Sequence, residues 1–452
     1  MHYLILILIL AVTFGDQLVT DHLLPKPISF LPDVLSAFVV LYVIAVGARQ
    51  RFQYVRAGYW LAFGTIAAVI VCGAFANRVA PGPLFAGIRY YLRALPLFFL
   101  PAVYEFKGWQ IRQQLRLLLY IGFLQLPFAW HQRKVVMDAG RFSGDSVVGT
   151  LVDSSVLSIY LICVVCVLTG MVLRQRLSRL MYFFLFFYLL AATTINETKG
   201  TLILLPFALL TAAVVGSPPA KRIKIFFLTA GLFVVFVAAF APIYDYMQRK
   251  NPYFTSIEDF FTNEKKVNQY LDTHSQVGAH HLAGRVDSIV VPLEQLSRDP
   301  VQLVFGLGIG NASHSSLGPQ FIGEYFPLYE GFLVSSFSTF LLEIGVLGTA
   351  LVFILYWMIF CDSLSVARTA DGLMACLAIG WAGVTLLMTV ATPYIVAHIF
   401  PCLSYLFWYL SGLVAATRMR IALTGNTTTA ARPHTSNTGF LANPAARPMR
   451  NV

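Results

Sequence analysis

Apolar residues run in long unbroken blocks along most of the chain, at 1–14, 34–46, 61–74, 155–173, 180–192, 225–240 and 346–360. These blocks approach or reach the length of a bilayer-crossing helix, about 20 residues. In lipid every backbone amide must be satisfied within its own segment, so such blocks predict helices. Barrel strands would alternate apolar and polar positions, and these blocks do not. The pattern predicts an all-α polytopic membrane protein with about 12 transmembrane helices. They lie near 1–14, 33–47, 58–76, 84–104, 115–130, 150–173, 179–195, 201–216, 224–242, 335–360, 373–391 and 394–414. Arg89, Arg93 and two prolines inside 84–104 predict a break there. Residues 1–14 lack a basic leader and a small-residue cleavage site, so they read as a first span rather than a signal peptide.

One long stretch departs from this pattern. Residues 243–334 form a polar segment between the hydrophobic blocks 1–242 and 335–416, and 417–452 read as a disordered tail rich in Thr, Asn, Ala, Pro and Arg. Within the polar segment, 285–298 predicts an amphipathic helix. Val286, Ile289, Val290, Leu293 and Leu296 recur on one face, and Asp299-Pro300 ends it. The run FGLGIGN (305–311) is a glycine-punctuated turn. No strand–turn–helix context makes it a dinucleotide fingerprint.

Composition agrees with the periodicity: 58% of residues are hydrophobic and 12% charged. A net charge of +11 raises the question of nucleic acid, and its distribution answers it. Arg49/Arg51/Arg56, Lys107/Arg112/Arg116, Arg174/Arg176/Arg179 and Lys221/Arg222/Lys224 sit in short loops that fall on one side when the spans are numbered in order. That is a positive-inside bias. It predicts both termini in the cytoplasm, the 243–334 loop outside (the periplasm in a Gram-negative host), and no nucleic-acid partner. Cysteines Cys72, Cys163, Cys166, Cys361, Cys376 and Cys402 lie in or beside spans, a placement that does not suggest a disulfide framework.

Candidate chemistry gathers on the outward side. Arg89 and Arg93 share a helical face in an apolar segment, and two guanidiniums buried together call for an anion. Glu197 and Lys199 stand in ETKG at a span end, where they could also neutralise each other. Arg285 follows Gly284 at the start of the amphipathic helix, placed to clamp a phosphate or to sit solvated in a loop. Together these basic sites suit an anionic, membrane-embedded ligand.

In order, the chain shows GRFSGDSVVGTLVDSSVLSIYL (140–161), ETKG (197–200), a long loop with GR and a P…FGLGIG turn (284–310), and LLEIGVLG (341–348). This order resembles the O-antigen ligase/polymerase superfamily, the polysaccharide polymerases and their lipopolysaccharide ligase relatives. The resemblance covers about residues 130–360. It implies a GT-C-like helical membrane glycosyltransferase acting on undecaprenyl-diphosphate-linked glycans. A chain-length regulator and a flippase would be its pathway partners. It implies that Lys199, where relatives carry arginine, and Arg285 hold the donor diphosphate. Arg141, Glu197, Arg89, Arg93, His281 and His314 would be substrate-binding candidates. With no DxD motif, no metal or cofactor is expected, since cationic side chains can stabilise the leaving group. Glu343, in an apolar helix at the boundary, is a candidate base; its alternative is a structural carboxyl inside the bundle. The relatives' histidine about nine residues before this glutamate is absent, because Val334-Ser335-Ser336 stands there. That departure favours an exopolysaccharide or capsule polymerase over a ligase. The rival from another class is a lipid-linked oligosaccharide flippase, although no internal repeat supports it; a non-catalytic scaffold is third.

Overall fold

The structure is a computed structural model that describes residues 1–50, 52–138, 146–196, 198–248, 256–263, 275–277 and 280–430. It is overwhelmingly helical. Seven helices are long and apolar enough to cross a membrane: His2–Thr20, Lys26–Gln50, Ala57–Ala76, Ser154–Leu173, Pro219–Tyr246, Ser336–Thr369 and Gly372–Ala391. Two shorter apolar helices, Arg179–Ile195 and Gly200–Gly216, pack among them. The chain is therefore a helical, membrane-embedded protein. The expected break in 84–104 is present as helices Pro81–Leu92 and Pro96–Val103. A pair of three-residue strands, Ser275–Val277 and His280–Leu282, runs antiparallel in the polar segment.

Helix position follows burial. Ser154–Leu173 and Gly372–Ala391 form the centre, with 72% of their apolar windows buried, whereas Pro219–Tyr246 is only 11% buried. Such a peripheral apolar helix would be untenable in water; in lipid its outer face meets a solvent as apolar as itself.

Two carboxylates, the half-buried Asp33 and the buried Asp362, tie the last helix, Pro401–Ala430, near its start and at its middle. Near its start the Tyr405 hydroxyl donates to Asp33 (2.8 Å), which also takes the Arg89 guanidinium (2.5 Å). Further along, Arg418 donates to Asp362, and Tyr59 donates to the other oxygen of that carboxylate at 2.8 Å. The helix continues to Ala430, beyond the expected boundary at 417. Its start is also later than the sequence suggests: residues 392–400 form a non-α-helical connection, and Pro401 opens the helix.

Among the described residues, the polar segment has no core separate from the bundle. Leu296, Leu307, Ala312 and Tyr329 bury against Leu341 and Leu342 of the Ser336–Thr369 helix, hereafter the exit helix. Ile309 buries with Val69 and Ile70 of the Ala57–Ala76 helix. The glycine run makes this docking possible. Gly306 and Gly345 both have positive φ (73° and 65°), and a Cβ on Gly306 would stand 2.5 Å from the Glu343 carbonyl carbon. The exit helix breaks its helical dihedrals at Gly345, and the Leu307 amide bonds the Leu342 carbonyl at 2.6 Å. The Asn77 side-chain amide donates to Gly306 (2.9 Å), pinning the turn to the neighbouring helix.

The expected helix over 285–298 is present as Asp287–Leu296. Ser288, Pro292 and Leu296 are buried, while Val286, Val290 and Leu293 are exposed. Of the five apolar positions, Leu296 packs inward, Ile289 is half-buried, and the other three look outward, as apolar residues of interfacial helices do.

Gly306→Ala is expected to cost about 2 kcal/mol or more, from positive-φ strain and overpacking against the exit helix. Gly231→Ala, at a position with open space around it, is the control and leaves stability unchanged. Thermal unfolding in detergent, followed by tryptophan fluorescence, checks both.

Candidate functional site

The end of the bundle that carries the 243–334 segment gathers the polar side chains. Asn196 donates to the Ser154 carbonyl at 2.8 Å, fixing the turn between Arg179–Ile195 and Gly200–Gly216. Lys199 is the residue preceding that second helix. A lysine there stands against the positive end of the helix, an arrangement that suits a bound anion. The Thr201 hydroxyl beside it is buried without a hydrogen-bond partner. The Lys199 amine lies over the Tyr244 ring (5.9 Å), and Tyr244 stacks on Phe240 at 5.7 Å. Phe240, with Trp130, Phe187, Ile195 and Phe236, lines an apolar groove of about 630 Å³ between three helices.

Arg285 approaches the same place from the polar segment. Its Nη1 donates to the Val334 carbonyl (2.6 Å), and its guanidinium lies over the Tyr394 ring (5.4 Å). Tyr394 also packs on Gly200, where a Cβ would stand 2.5 Å from its hydroxyl oxygen. One tyrosine thus joins the ETKG turn to the Gly-Arg of the loop. The structure thus brings the turn that carries Lys199 and the Arg285 guanidinium to the same tyrosine, although 86 positions separate Lys199 from Arg285 in the chain. Tyr394 itself was missed in the sequence. The signal available was TPYIVAH (392–398), a proline-broken stretch with Tyr and His between two apolar runs.

Arg89 and Arg93 form a neighbouring cluster, and their anion is internal. Arg89 takes Asp33 through Nε (2.8 Å) and Nη2 (2.5 Å), and Arg93 lies 3.8 Å from the same carboxylate. Arg93 also donates to the Ile399 carbonyl. Asp33 supplies from within the fold an anion that both guanidiniums share, and it offsets one of their two charges.

Between Arg89 and Arg93 in sequence, Tyr91 faces Glu343. That carboxyl is 1% exposed, beneath the glycine turn. The Tyr91 hydroxyl, the half-buried Ser313 and the backbone at Gly310 and Ala312 are its polar neighbours. None stands at good hydrogen-bond geometry, since both Glu343 oxygens and the Tyr91 oxygen are buried without a partner. Glu343 is therefore a buried carboxyl reached through Ser313 rather than a group open at the surface.

His398 is the second residue the sequence did not single out. Its Nδ1 lies 3.0 Å from the Ser336 hydroxyl, and its ring packs on Phe340 (4.6 Å) and Tyr91 (5.4 Å). Although its side chain keeps some accessible surface, burial holds the imidazole down, to about 3, with the Arg93 charge adding to the effect. The imidazole is neutral at physiological pH. His314, by contrast, is exposed with its ring on Phe326. For His281 the described backbone pairs with Gln276, and its side chain lies outside the described residues. Arg141 and Glu197 also lie outside them.

No known family model matches the chain, and no curated protein matches it.

His398 gives a pH prediction. Its folded value is lowered from the ordinary 6.5, so the unfolded chain binds a proton that the folded chain does not. Its contribution to stability is present above 6.5 and is lost as pH falls from there toward 3. Melting temperature measured across that window should fall less steeply for His398→Phe than for wild type.

Proposed function

We propose that this chain is a membrane glycosyltransferase that joins undecaprenyl-diphosphate-linked repeat units into a longer polysaccharide. The observation that carries the reading is that Tyr394 packs on Gly200, next to Lys199, and under the Arg285 guanidinium, at the polar end of a helical membrane protein. A cation at a helix N-terminus and a guanidinium linked to that turn through one tyrosine form a cradle for a diphosphate. The apolar groove past Phe240 and Tyr244 supplies room beside Lys199 for the lipid's hydrocarbon chain. In this reading the polar end faces the periplasm, and about 12 spans form a GT-C-like scaffold in the bacterial cytoplasmic membrane. A flippase would deliver the donor and a chain-length regulator would set the product's size.

The chemistry needs few groups. An acceptor hydroxyl attacks the anomeric carbon from the face opposite the diphosphate. The new carbon–oxygen bond forms as the carbon–diphosphate bond breaks, with inversion. Charge grows on the departing diphosphate, where preorganised cations contribute most. The acceptor's proton passes through the half-buried Ser313 hydroxyl to Glu343, which has no hydrogen bond of its own to lose. Arg89 and Arg93, held by Asp33, keep the wall of this site in place rather than meeting substrate.

A ligase is the second reading, and one observation favours it. The histidine expected in sequence before Glu343 is absent, but His398 reaches Ser336 from another element and puts an imidazole in that neighbourhood.

The test is reconstitution in vesicles with purified lipid-diphosphate-linked repeat units. Wild type should lengthen the glycan, and Lys199→Ala and Arg285→Ala should each slow elongation by about 100-fold. Unchanged elongation in both variants would rule out the diphosphate role. Transfer of single units to a separate acceptor, with no lengthening, would select the ligase. Lipid movement across the bilayer without any glycan transfer would select a transporter.

A further inference from the structure

A cavity that the proposed reaction does not use opens at the other end of the bundle. It measures about 480 Å³ and is bordered by four helices: Gly108–Asp138, Ser154–Leu173, Gly372–Ala391 and Pro401–Ala430. Along Gly372–Ala391 its lining extends from Gly372 to Met388. At 1.5 Å per residue that is roughly 24 Å, most of the ~30 Å thickness of a bilayer's hydrocarbon.

Its wall is apolar in chemistry as well as composition. The polar groups that touch it are already used: the Tyr160 hydroxyl donates to the Leu118 carbonyl (2.6 Å), and the Trp381 indole N–H donates to Ser411 (2.9 Å). Water entering such a slot would find too few partners to stay. Hydrocarbon would lose nothing.

The mouth is of the opposite character. Arg112 and Arg116, one turn apart on a single helix, line it together with Arg176 from the 174–178 connection. All three are exposed, and no carboxylate is among the lining residues. Exposed arginines at a helix end commonly reflect only the orientation bias of membrane proteins. Three of them around the opening of a long apolar slot make a site with one charged end and one oily end.

We propose that this slot holds one acyl chain of an anionic glycerophospholipid whose phosphate sits among Arg112, Arg116 and Arg176. The charge at the mouth selects an anionic head, and the length of the wall selects a long chain over a soluble phosphate. By the charge bias of the loops this is a lipid of the cytoplasmic leaflet. The site lies across the bundle from Lys199 and Arg285, and binding there is independent of the proposed transfer reaction.

The experiment is native mass spectrometry of the full chain in detergent, after incubation with phosphatidylglycerol or phosphatidylcholine. Wild type is expected to retain one phosphatidylglycerol at least tenfold more readily than phosphatidylcholine. The triple substitution Arg112→Gln, Arg116→Gln, Arg176→Gln changes only exposed positions, so it should fold and lose that preference. Val384→Trp, which fills the slot from its wall, should lose both lipids. Wild-type retention in the triple variant overturns the proposal, as does a wild type that prefers a polyprenyl monophosphate over phosphatidylglycerol. If Val384→Trp fails to fold, the triple variant alone decides.

Discussion

The contact between Gly306 and Gly345 is the constraint on which the polar end depends. Two backbones meet where neither can carry a side chain, and both residues take dihedrals that other residues rarely adopt. The exit helix must break at Gly345 for the turn to enter, and the turn must be free of Cβ atoms to fit. With the turn in place, Leu307 pairs with Leu342, Ile309 buries against Val69 and Ile70, and Glu343 is sealed beneath. The same docking sets the position of the Asp287–Leu296 helix and hence of Arg285 at its start. A loop that might have been an appendage is thereby made part of the bundle.

The second organising element is the 392–400 connection. Its carbonyls at Thr392 and Ile395 accept from the Phe337 and Ser336 amides (2.9 and 2.8 Å), satisfying the orphan donors at the start of the exit helix. From this short connection Tyr394 turns toward Gly200 and Arg285, while His398 turns toward Tyr91 and Ser336. Two clusters that share no residue are thus held in register by one stretch of backbone. The carboxylate Asp33 completes the second cluster by bridging Arg89 and Arg93, offsetting one of two like charges in an apolar wall.

Lipid changes what an apolar residue means, and the Asp287–Leu296 helix shows it. In a soluble protein Val286, Val290 and Leu293 would mark the inward face; here they are exposed, while Ser288 and Pro292 pack inward. Helix packing in a membrane rewards small residues and close approach more than apolar area, because the surrounding solvent is apolar too. Periodicity therefore found the helix, and only packing decided which way its apolar positions point. For the same reason the seven long apolar helices were legible as blocks, while the ends of the last helix were not: residues 394–400 are apolar enough to read as span, and Pro393 and Pro401 bound them as a connection.

By itself the sequence determined that this is a helical membrane protein with a long polar segment between its spans, because unbroken apolar blocks admit few other structures in lipid. It also marked Lys199, Arg285, Glu343 and the glycine turn as unusual, since charge and glycine in such surroundings demand a reason. Only the tertiary structure decided what each is next to. Asp33 and Arg89 are 56 positions apart, and Arg285 and Tyr394 meet from different elements, so no local pattern could pair them. Charges in an apolar medium are partnered by whatever the packing brings within reach, and packing across the bundle is not written in the spacing of any one segment.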